Sequence, residues 1–505
     1  MFFPLSIAAA AFAVRRTLYA LKFFQQEGYS NIGFIKFIFR RGQFVDKKLT
    51  LALFLLVGIP MLIDPWYAIL AMFFIMPATF AIFAWFEKSP FKGAKKKLVM
   101  TARAKRIFAV AMIIDIMAGS TLIIPVAGPI LFVQFLPFSL IIANIILWPV
   151  ERLGQWAYLR SAKRRLAEVN PIVIGITGSF GKTSTKNILA HVLGPSAITT
   201  ARSINTLMGL TQAIRSTLLK THKYFIAEIG TDRPGKIARA CRLVQPKYGI
   251  LTSIGSAHFE NFGSGKALAK EKTELLLAVA RNKGAAVANA SRVAVKLPPG
   301  RHILFRAEDI TNLKQGIDGI SFTFSFEGEK HRISAPLWGG HQAENIAAAF
   351  IMARVLGVPA ATIIARLKTT PQIPHRLEVR RGPITVIDDG FNSNVDGFLS
   401  ALVTLRQLAG KGRAILITPG MVELGARHSE QHETAGKAAA KAADLVIAVR
   451  GERIRDFTRH VPPGKLVEVR SFAEATEWMT KHARPGDAVL YENDLPDVFE
   501  EKISV

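Results

Sequence analysis

Seven consecutive residues, Gly178-Ser-Phe-Gly-Lys-Thr-Ser184, have the side chains that a phosphate-binding turn needs. Gly178 and Gly181 let the backbone turn tightly and aim N–H groups at phosphate oxygens. Lys182 puts a cation where β- and γ-phosphates would lie, and Thr183 offers a hydroxyl to Mg²⁺. Ser179 and Ser184 belong to the same turn. The strict motif keeps four residues between its first glycine and Gly-Lys. Gly175 stands one position too far upstream, so only the shorter Thr-Gly-x-x-Gly-Lys-Thr core is present. Further along, Glu228 follows an apolar run, and a carboxylate there suits Mg²⁺. Its bland alternative is a solvated loop acid.

These residues need elements to hold them. Pro171–Thr177 is a short β-branched run, as expected of a buried parallel strand, and Lys186–Leu193 has helical character. A strand, a glycine turn, Lys-Thr and a helix is the arrangement that cradles phosphate, the helix N-terminus adding its dipole. Lys223–Ala227 reads as another strand, which puts Glu228 at a carboxyl-end crevice. Pro371–Pro374 reads as a linker. Beyond it, Ala414–Thr418, Leu445–Val449 and Ala488–Leu490 alternate with helical stretches, the pattern of a small doubly wound sheet.

Thr177-Gly-Ser-Phe-Gly-Lys-Thr-Ser184 resembles the ATP loop of the Mur ligase family, with Phe180 where Asn or Ser is common. Ser203-Ile-Asn205-Thr-Leu-Met-Gly209 and Ala227-Glu228-Ile-Gly230 resemble further family segments. So do Leu251–Gly263, which contains His258, and Ala269–Glu274, which contains Lys272. Gly339-Gly-His341-Gln-Ala-Glu-Asn345 resembles the start of a helix whose Asn contacts adenine, with Gln342 departing from the usual Asn. His375-Arg376-Leu-Glu and Asp388-Asp389-Gly-Phe-Asn392-Ser-Asn394 resemble the family's third-domain motifs, with Phe391 in place of Tyr or Lys. Met421–Gly425 resembles a loop near the family's active site. Tyr491–Asp497 stands where the family often has Lys-Gly-Ser.

The resemblance covers about Pro171–Val505 and is closest to the D-alanyl-D-alanine-adding branch. It implies an ATP-dependent ligase that activates a carboxylate as an acyl phosphate and couples it to an amino acid or dipeptide amine. By that resemblance Lys182, Lys272, His258 and Arg376 are catalytic. Gly178, Ser179, Gly181, Lys182, Thr183, Ser184, Asn345, Arg376 and Asp389 bind ATP, Asp389 through the ribose. Thr183, Glu228, His258 and a carbamylated Lys272 hold Mg²⁺. Read alone, His258 is a structural histidine, Lys272 a solvated helix face, and Arg376 and Asp389 surface charges.

The resemblance stops short of the N-terminus. Four apolar stretches lie there, Leu49–Ile63, Trp66–Phe86, Ile107–Ile124 and Ile130–Trp148, each pair joined by a short turn. A bilayer core of ~30 Å takes about 20 apolar residues as helix. Residues 1–150 hold 16 Lys/Arg against 5 Asp/Glu, clustered in the other loops. The positive-inside rule then predicts two spanning hairpins with cytosolic basic loops. Trp66, Trp85, Trp148 and Trp156 lie near the stretch ends. Asp115, inside the third stretch, reads as a functional acid or as one paired with a basic loop residue. Met1–Val14, followed by Arg15 and Arg16, does not read as a cleaved signal.

The fold class expected is therefore an α-helical transmembrane N-terminal region plus α/β, with a P-loop central ATPase domain on a parallel sheet and a C-terminal Rossmann-like α/β domain. The expected boundaries are 1–150 for the membrane region, 151–170 for a basic linker, 171–370 for the Mur-ligase-like ATP-binding domain and 375–505 for the Mur-ligase-like C-terminal domain. The expected location is multi-pass in the cell (inner) membrane with the catalytic domains cytoplasmic, and the expected acceptor a lipid-linked cell-wall precursor or polymer. A formal net charge of +28, with no zinc-finger, basic-zipper or RNA-recognition signature, favours phosphorylated ligands and anionic lipids over nucleic acid. The single cysteine, Cys241, forms no internal disulfide and reads as a small buried apolar residue. Two rival functions remain at this point. One is a poly-γ-glutamate or folylpolyglutamate-like ligase; the other is a P-loop membrane transporter or sensor.

Overall fold

The structure is a computed structural model that describes residues 3–40, 47–91, 97–124, 127–255, 262–391, 394–422, 424 and 427–493. Two compact units make up the described chain, 1–155 and 156–494.

The first unit is helical. Its helices are Phe3–Gln26, Asn31–Arg40, Lys47–Leu53, Ile59–Ile63, Pro65–Phe86, Ala102–Ala118 and Ala127–Ile146. Phe12, Phe80, Phe132 and Leu136 form one core, and Phe23, Phe24, Phe34 and Leu140 a second. Arg16 pairs with Glu87 at 3.1 Å, both nearly buried. Asp115 is buried and accepts a hydrogen bond from the Thr17 hydroxyl at 2.9 Å, so its partner is a hydroxyl on another helix rather than a basic loop residue. Exposed Leu62, Ile63, Phe74, Trp85, Phe86 and Ile116 give this unit an unusually apolar exterior.

The expected two spanning hairpins, and with them a multi-pass location in the inner membrane, are corrected here. Among the described residues one helix, Ala127–Ile146, is long and apolar enough to cross a membrane, and 44% of its apolar window is buried in the unit's own core. Phe73–Phe86, within the helix Pro65–Phe86, is a shorter apolar stretch. The first apolar stretch stays helical but takes a π-helical turn at Phe54–Gly58, and the third ends as α-helix at Ala118 and continues as a 3₁₀ turn.

The second unit carries the α/β structure, preceded by the helix Trp148–Val169. Six parallel strands form its first sheet in the order β2-β3-β1-β4-β5-β6. They are β1 (Ile172–Thr177), β2 (Ala197–Thr199), β3 (Tyr224–Glu228), β4 (Tyr248–Leu251), β5 (Ala285–Asn289) and β6 (Arg301–Phe305). Strand β1 is where the order reverses, with β3 on one side and β4 on the other, so a crevice opens at its carboxyl end. Ile174, Ile176, Ile226 and Ile250 are buried against the helices Lys182–Leu193 and His341–Val355. On the opposite face, Val173, Phe225 and Leu251 meet Cys241, whose thiol burial pushes up to about 12. That keeps it protonated and inert at neutral pH, as its bland reading supposed.

A three-stranded antiparallel meander follows, β7 (Ile310–Gly316), β8 (Gly319–Phe326) and β9 (Glu329–Ala335). The last sheet runs β10-β11-β15-β12-β13-β14, parallel except for β10 with β11. Its strands are β10 (Glu378–Arg380), β11 (Thr385–Asp389), β12 (Ala414–Thr418), β13 (Leu445–Val449), β14 (Leu466–Val469) and β15 (Ala488–Glu492). Strands expected at 414–418, 445–449 and 488–490 are all present. The register pairs Asp389 with Glu492 at the carboxyl ends of β11 and β15.

Candidate functional site

The Gly178–Ser184 turn lies between the end of β1 and the helix Lys182–Leu193, where the order of strands reverses. Gly181 caps that helix with φ +81°, and a Cβ there would lie 2.4 Å from Asn345 Oδ1. A Cβ at Gly178 would lie 1.9 Å from Thr252 Oγ1. The turn is fastened to the chain leaving β4. The Thr252 hydroxyl donates to Phe180 O at 2.5 Å, the Phe180 N–H to Ser253 Oγ at 3.0 Å, and the Gly255 N–H to Ser179 Oγ at 2.8 Å. Phe180 is thus held by its backbone while its ring rests against Gly255.

Lys182 turns back over its own loop and donates to Gly178 O at 2.7 Å and Ser179 O at 3.1 Å. Burial pulls its amine down to about 8; Glu228 opposes that shift and Arg376 adds to it. Thr183 Oγ1 donates to Glu228 Oε2 at 3.1 Å. Glu228, at the end of β3, is 1% exposed. It also takes Lys186 Nζ at 3.2 Å and Asn205 Nδ2 at 3.2 Å.

Lys272 projects from the helix Gly265–Arg281 and is 2% exposed, so it is no solvated helix face. Burial, reinforced by the nearby Lys182 cation, holds its amine well below the ordinary lysine range. Its neighbour Glu271 points elsewhere, accepting from the Gly235 and Ile237 N–H groups at 2.7 and 2.8 Å to cap the next helix.

Across the cavity, Arg376 sits between two residues with left-handed backbone, His375 at φ +58° and Leu377 at φ +51°. Such conformations cost side-chain-bearing residues free energy and recur where a functional group must be aimed. Arg376 Nη1 donates to Phe391 O at 2.7 Å, its guanidinium lies over the Phe391 ring, and Asp389 and Glu228 are its strongest favourable charges. Asp389 accepts from the Leu377 N–H at 3.2 Å, and burial raises its carboxyl to about 6 against the pull of Arg376. Asn345 Oδ1 accepts from Thr185 Oγ1 at 3.3 Å, and its amide donates to Gln342 at 2.9 Å.

One cavity of about 1130 Å³ is lined by Gly178, Ser179, Gly181, Lys182, Thr183 and Ser184 together with Glu228, Lys272, Asn345, Arg376 and Asp389. Residues some 200 positions apart in the chain therefore meet at one place. His258, Asn392, Glu423 and Gly425 lie outside the described residues.

Some charged groups at or behind the cavity wall were not anticipated. Lys186 reads in sequence as one more polar helix residue, although its spacing of four from Lys182 put it on the same face. Arg292 pairs with Glu344 at 2.9 Å and reaches Asp396 at 3.5 Å, a bridge visible only once β5, the helix His341–Val355 and the helix Val395–Ala409 are in place. Glu492 is fully buried beside Asp389. A second group, His375, Glu378 and Asp388, brings three ligand atoms within 4.8 Å of one another, but Arg380 already pairs with both carboxylates.

Comparison with known proteins agrees with this geometry. The Mur ligase middle domain matches residues 176–353, and the Mur ligase glutamate ligase domain matches residues 375–491. The UDP-N-acetylmuramoyl-tripeptide–D-alanyl-D-alanine ligase of Mycobacterium tuberculosis is 28% identical over 355 residues, which span 63% of this chain and 69% of that protein. The enzyme of the same name from Escherichia coli is 29% identical over 297 residues, 55% of this chain and 64% of that one. Among solved structures, MurF ligase from Thermotoga maritima in complex with ADP superposes with a TM-score of 0.59 at 24% identity, over 67% of this chain and 80% of that chain. MurF from Acinetobacter baumannii gives 0.57 at 23% identity, over 67% and 77%. Neither domain match reaches the helical unit before residue 156.

Proposed function

This chain belongs to the Mur ligase family of ATP-dependent ligases, and from that premise we propose that it forms an amide in cell-wall peptide synthesis. The carboxylate would come from a UDP-N-acetylmuramoyl-tripeptide and the amine from D-alanyl-D-alanine, the substrates in the relatives' names. The observation carrying this reading is Lys272, a buried amine that burial and the Lys182 cation hold well below the ordinary lysine range, facing the same cavity as Thr183 and Glu228. A neutral amine is the form that adds CO₂ to give a carbamate, and the carbamate would replace a cation with an oxygen anion. Turning triphosphate hydrolysis into movement would need no such group, whereas a ligase has a use for it beside Thr183 and Glu228 in holding the cation of the bound nucleotide.

Two reaction steps follow. The substrate carboxylate attacks the γ-phosphorus of ATP, giving an acyl phosphate and ADP. The amine nitrogen then attacks the acyl carbon, phosphate leaves with the bonding electrons, and the nitrogen gives up a proton. Loop N–H groups and Lys182 hold the phosphates, while Arg376 neutralises charge developing on the transferred group. Asp389 would take ribose hydroxyls and Asn345 the adenine. Thr183 Oγ1 and the Glu228 carboxylate, 3.1 Å apart, are oxygen donors of the kind Mg²⁺ takes, and carbamylated Lys272 and His258 would complete the set. Mg²⁺ there supplies charge neutralisation. Acyl phosphates hydrolyse, so the site must exclude water. Arg292, bridging Glu344 and Asp396, helps hold the β10–β15 portion over it.

The test is ADP release together with product mass, with acceptor, amine and ATP omitted in turn. The reading predicts sustained ADP release only when all three are present, at most a single turnover when the amine alone is left out, and a product equal to acceptor plus dipeptide less water. Brisk ADP release from ATP alone would favour the transporter or sensor. Glutamate outcompeting D-alanyl-D-alanine would favour the polyglutamate-type ligase. Offering the acceptor in lipid-linked as well as UDP-linked form decides between those two.

A further inference from the structure

Lys186 has no part in the mechanism above, yet it is among the most completely buried charged side chains of the second unit, at 0% exposure. It lies one turn beyond Lys182 on the helix Lys182–Leu193. Its ammonium has three acceptors. They are the Glu228 carboxylate at 3.2 Å, the Thr200 carbonyl at 2.8 Å and the Arg202 carbonyl. An ammonium has three protons to donate, so its capacity is filled.

The segment that supplies the two carbonyls runs on through Asn205, Thr206, Leu207 and Met208, all four facing the cavity. From that segment Asn205 returns to the same carboxylate, donating to Glu228 Oε1 at 3.2 Å while its own carbonyl accepts from the Gly230 N–H at 3.0 Å. Each oxygen of Glu228 is thus assigned: Oε1 to Asn205, Oε2 to Thr183 and Lys186. A carboxylate fixed at both oxygens cannot rotate to meet a cation at random. It presents one orientation, and that orientation depends on where the 200–208 segment lies.

We propose that Lys186 is a positioning residue that ties the 200–208 segment to Glu228 and thereby sets the carboxylate's orientation toward the cation of the bound nucleotide. The inference rests on the ligase reading for the identity of that cation. It adds that the segment's position and the cation's binding are coupled through one buried side chain. The two carbonyls that satisfy the remaining ammonium protons belong to a loop that runs on into the cavity wall, so filling those donors also fixes that loop against Glu228.

The test measures ADP affinity by calorimetry, once with EDTA and once with Mg²⁺, in the full-length chain. The variants are Lys186→Met, which removes the charge, and Lys186→Arg, which keeps it but cannot place it at the same point. Groups that orient a metal ligand typically contribute ~10–100-fold in metal affinity. Both variants are therefore expected to lose about tenfold of the gain in ADP affinity that Mg²⁺ confers, while affinity in EDTA stays within about twofold, because the loop and Lys182 are untouched. A folded variant that keeps the full wild-type Mg²⁺ gain overturns the proposal. Should Lys186→Met fail to fold, Lys186→Arg decides, since it leaves no buried carboxylate unpaired. The ligase reading is judged separately: wild-type chain whose ADP affinity gains nothing from Mg²⁺ would undermine that reading and not Lys186 alone.

Discussion

Gly181 shows how much of the site hangs on single atoms. Its φ of +81° costs an L-residue ~1–2 kcal/mol, and an added Cβ would meet Asn345 Oδ1 at 2.4 Å. Gly181→Ala is therefore expected to weaken ADP binding by about tenfold, ~1.4 kcal/mol, with the loss appearing in calorimetry with or without Mg²⁺. Lys272 makes a different prediction, because its importance lies in reacting rather than in fitting. Burial holds its amine well below the ordinary range, which favours the neutral form that adds CO₂, and on the proposed reading the carbamate would form and break with dissolved CO₂. Activity in the full reaction should fall in degassed, bicarbonate-free buffer and return on adding bicarbonate. Lys272→Met should lose activity by about 10²–10³-fold, the scale of removing one transition-state-stabilising group, and be indifferent to bicarbonate. A wild-type chain equally indifferent would remove the carbamate from the mechanism.

At the scale of elements, the turn after β12 is held by a histidine that must stay neutral. His432 is fully buried; its Nε2 accepts the Met421 N–H at 3.0 Å and its Nδ1 donates to His428 O at 2.8 Å. The bonded groups assign the tautomer. Burial pushes this imidazole down to about 4. In the unfolded chain it takes up a proton near 6.5, so between about 6.5 and 4 the unfolded state binds more protons than the folded one. Stability is then complete above about 6.5 and declines as pH falls toward 4. His341, also lowered to about 4 chiefly by burial, acts in the same direction. Thermal midpoints measured from pH 7 to pH 4 should drop through that window. His432→Gln should start lower, by ~1–3 kcal/mol for an imperfectly replaced buried hydrogen bond, and show a shallower slope.

What sequence reading reached at this scale follows from how local each signal is. The β1–turn–helix unit was legible because the β-branched run, the glycines and Lys-Thr are contiguous. Glu228 was placed correctly because it ends a strand that is itself contiguous. Lys186 was missed because its partners, the Thr200 and Arg202 carbonyls and the Glu228 carboxylate, are gathered by folding and leave no local trace. The β7–β9 meander carries the period-2 signal of a half-buried strand, Ile320, Phe322 and Phe324 alternating with polar residues, but no chemistry-bearing motif marks it. In the helical unit the error ran the other way. Apolar content over Leu49–Ile63 and Ile107–Ile124 reads as spanning helix, but neither stretch is regular α-helix throughout: the first carries a π turn at Phe54–Gly58 and the second gives way to a 3₁₀ turn at Gly119–Ile123.

At the scale of the molecule, two compact units with separate cores imply two cooperative transitions rather than one. All the candidate nucleotide contacts belong to residues 156–494. A ligand that binds only the folded form stabilises by mass action, ~2.7 kcal/mol at a hundred times its dissociation constant. Scanning calorimetry with ADP and Mg²⁺ should therefore move one transition upward by several degrees and leave the other where it was. The transition that moves should also be the one lowered by His432→Gln, because both changes act on the same unit. If nucleotide shifted both transitions together, the two units would unfold as one cooperative event and the expectation of two separate transitions would fail.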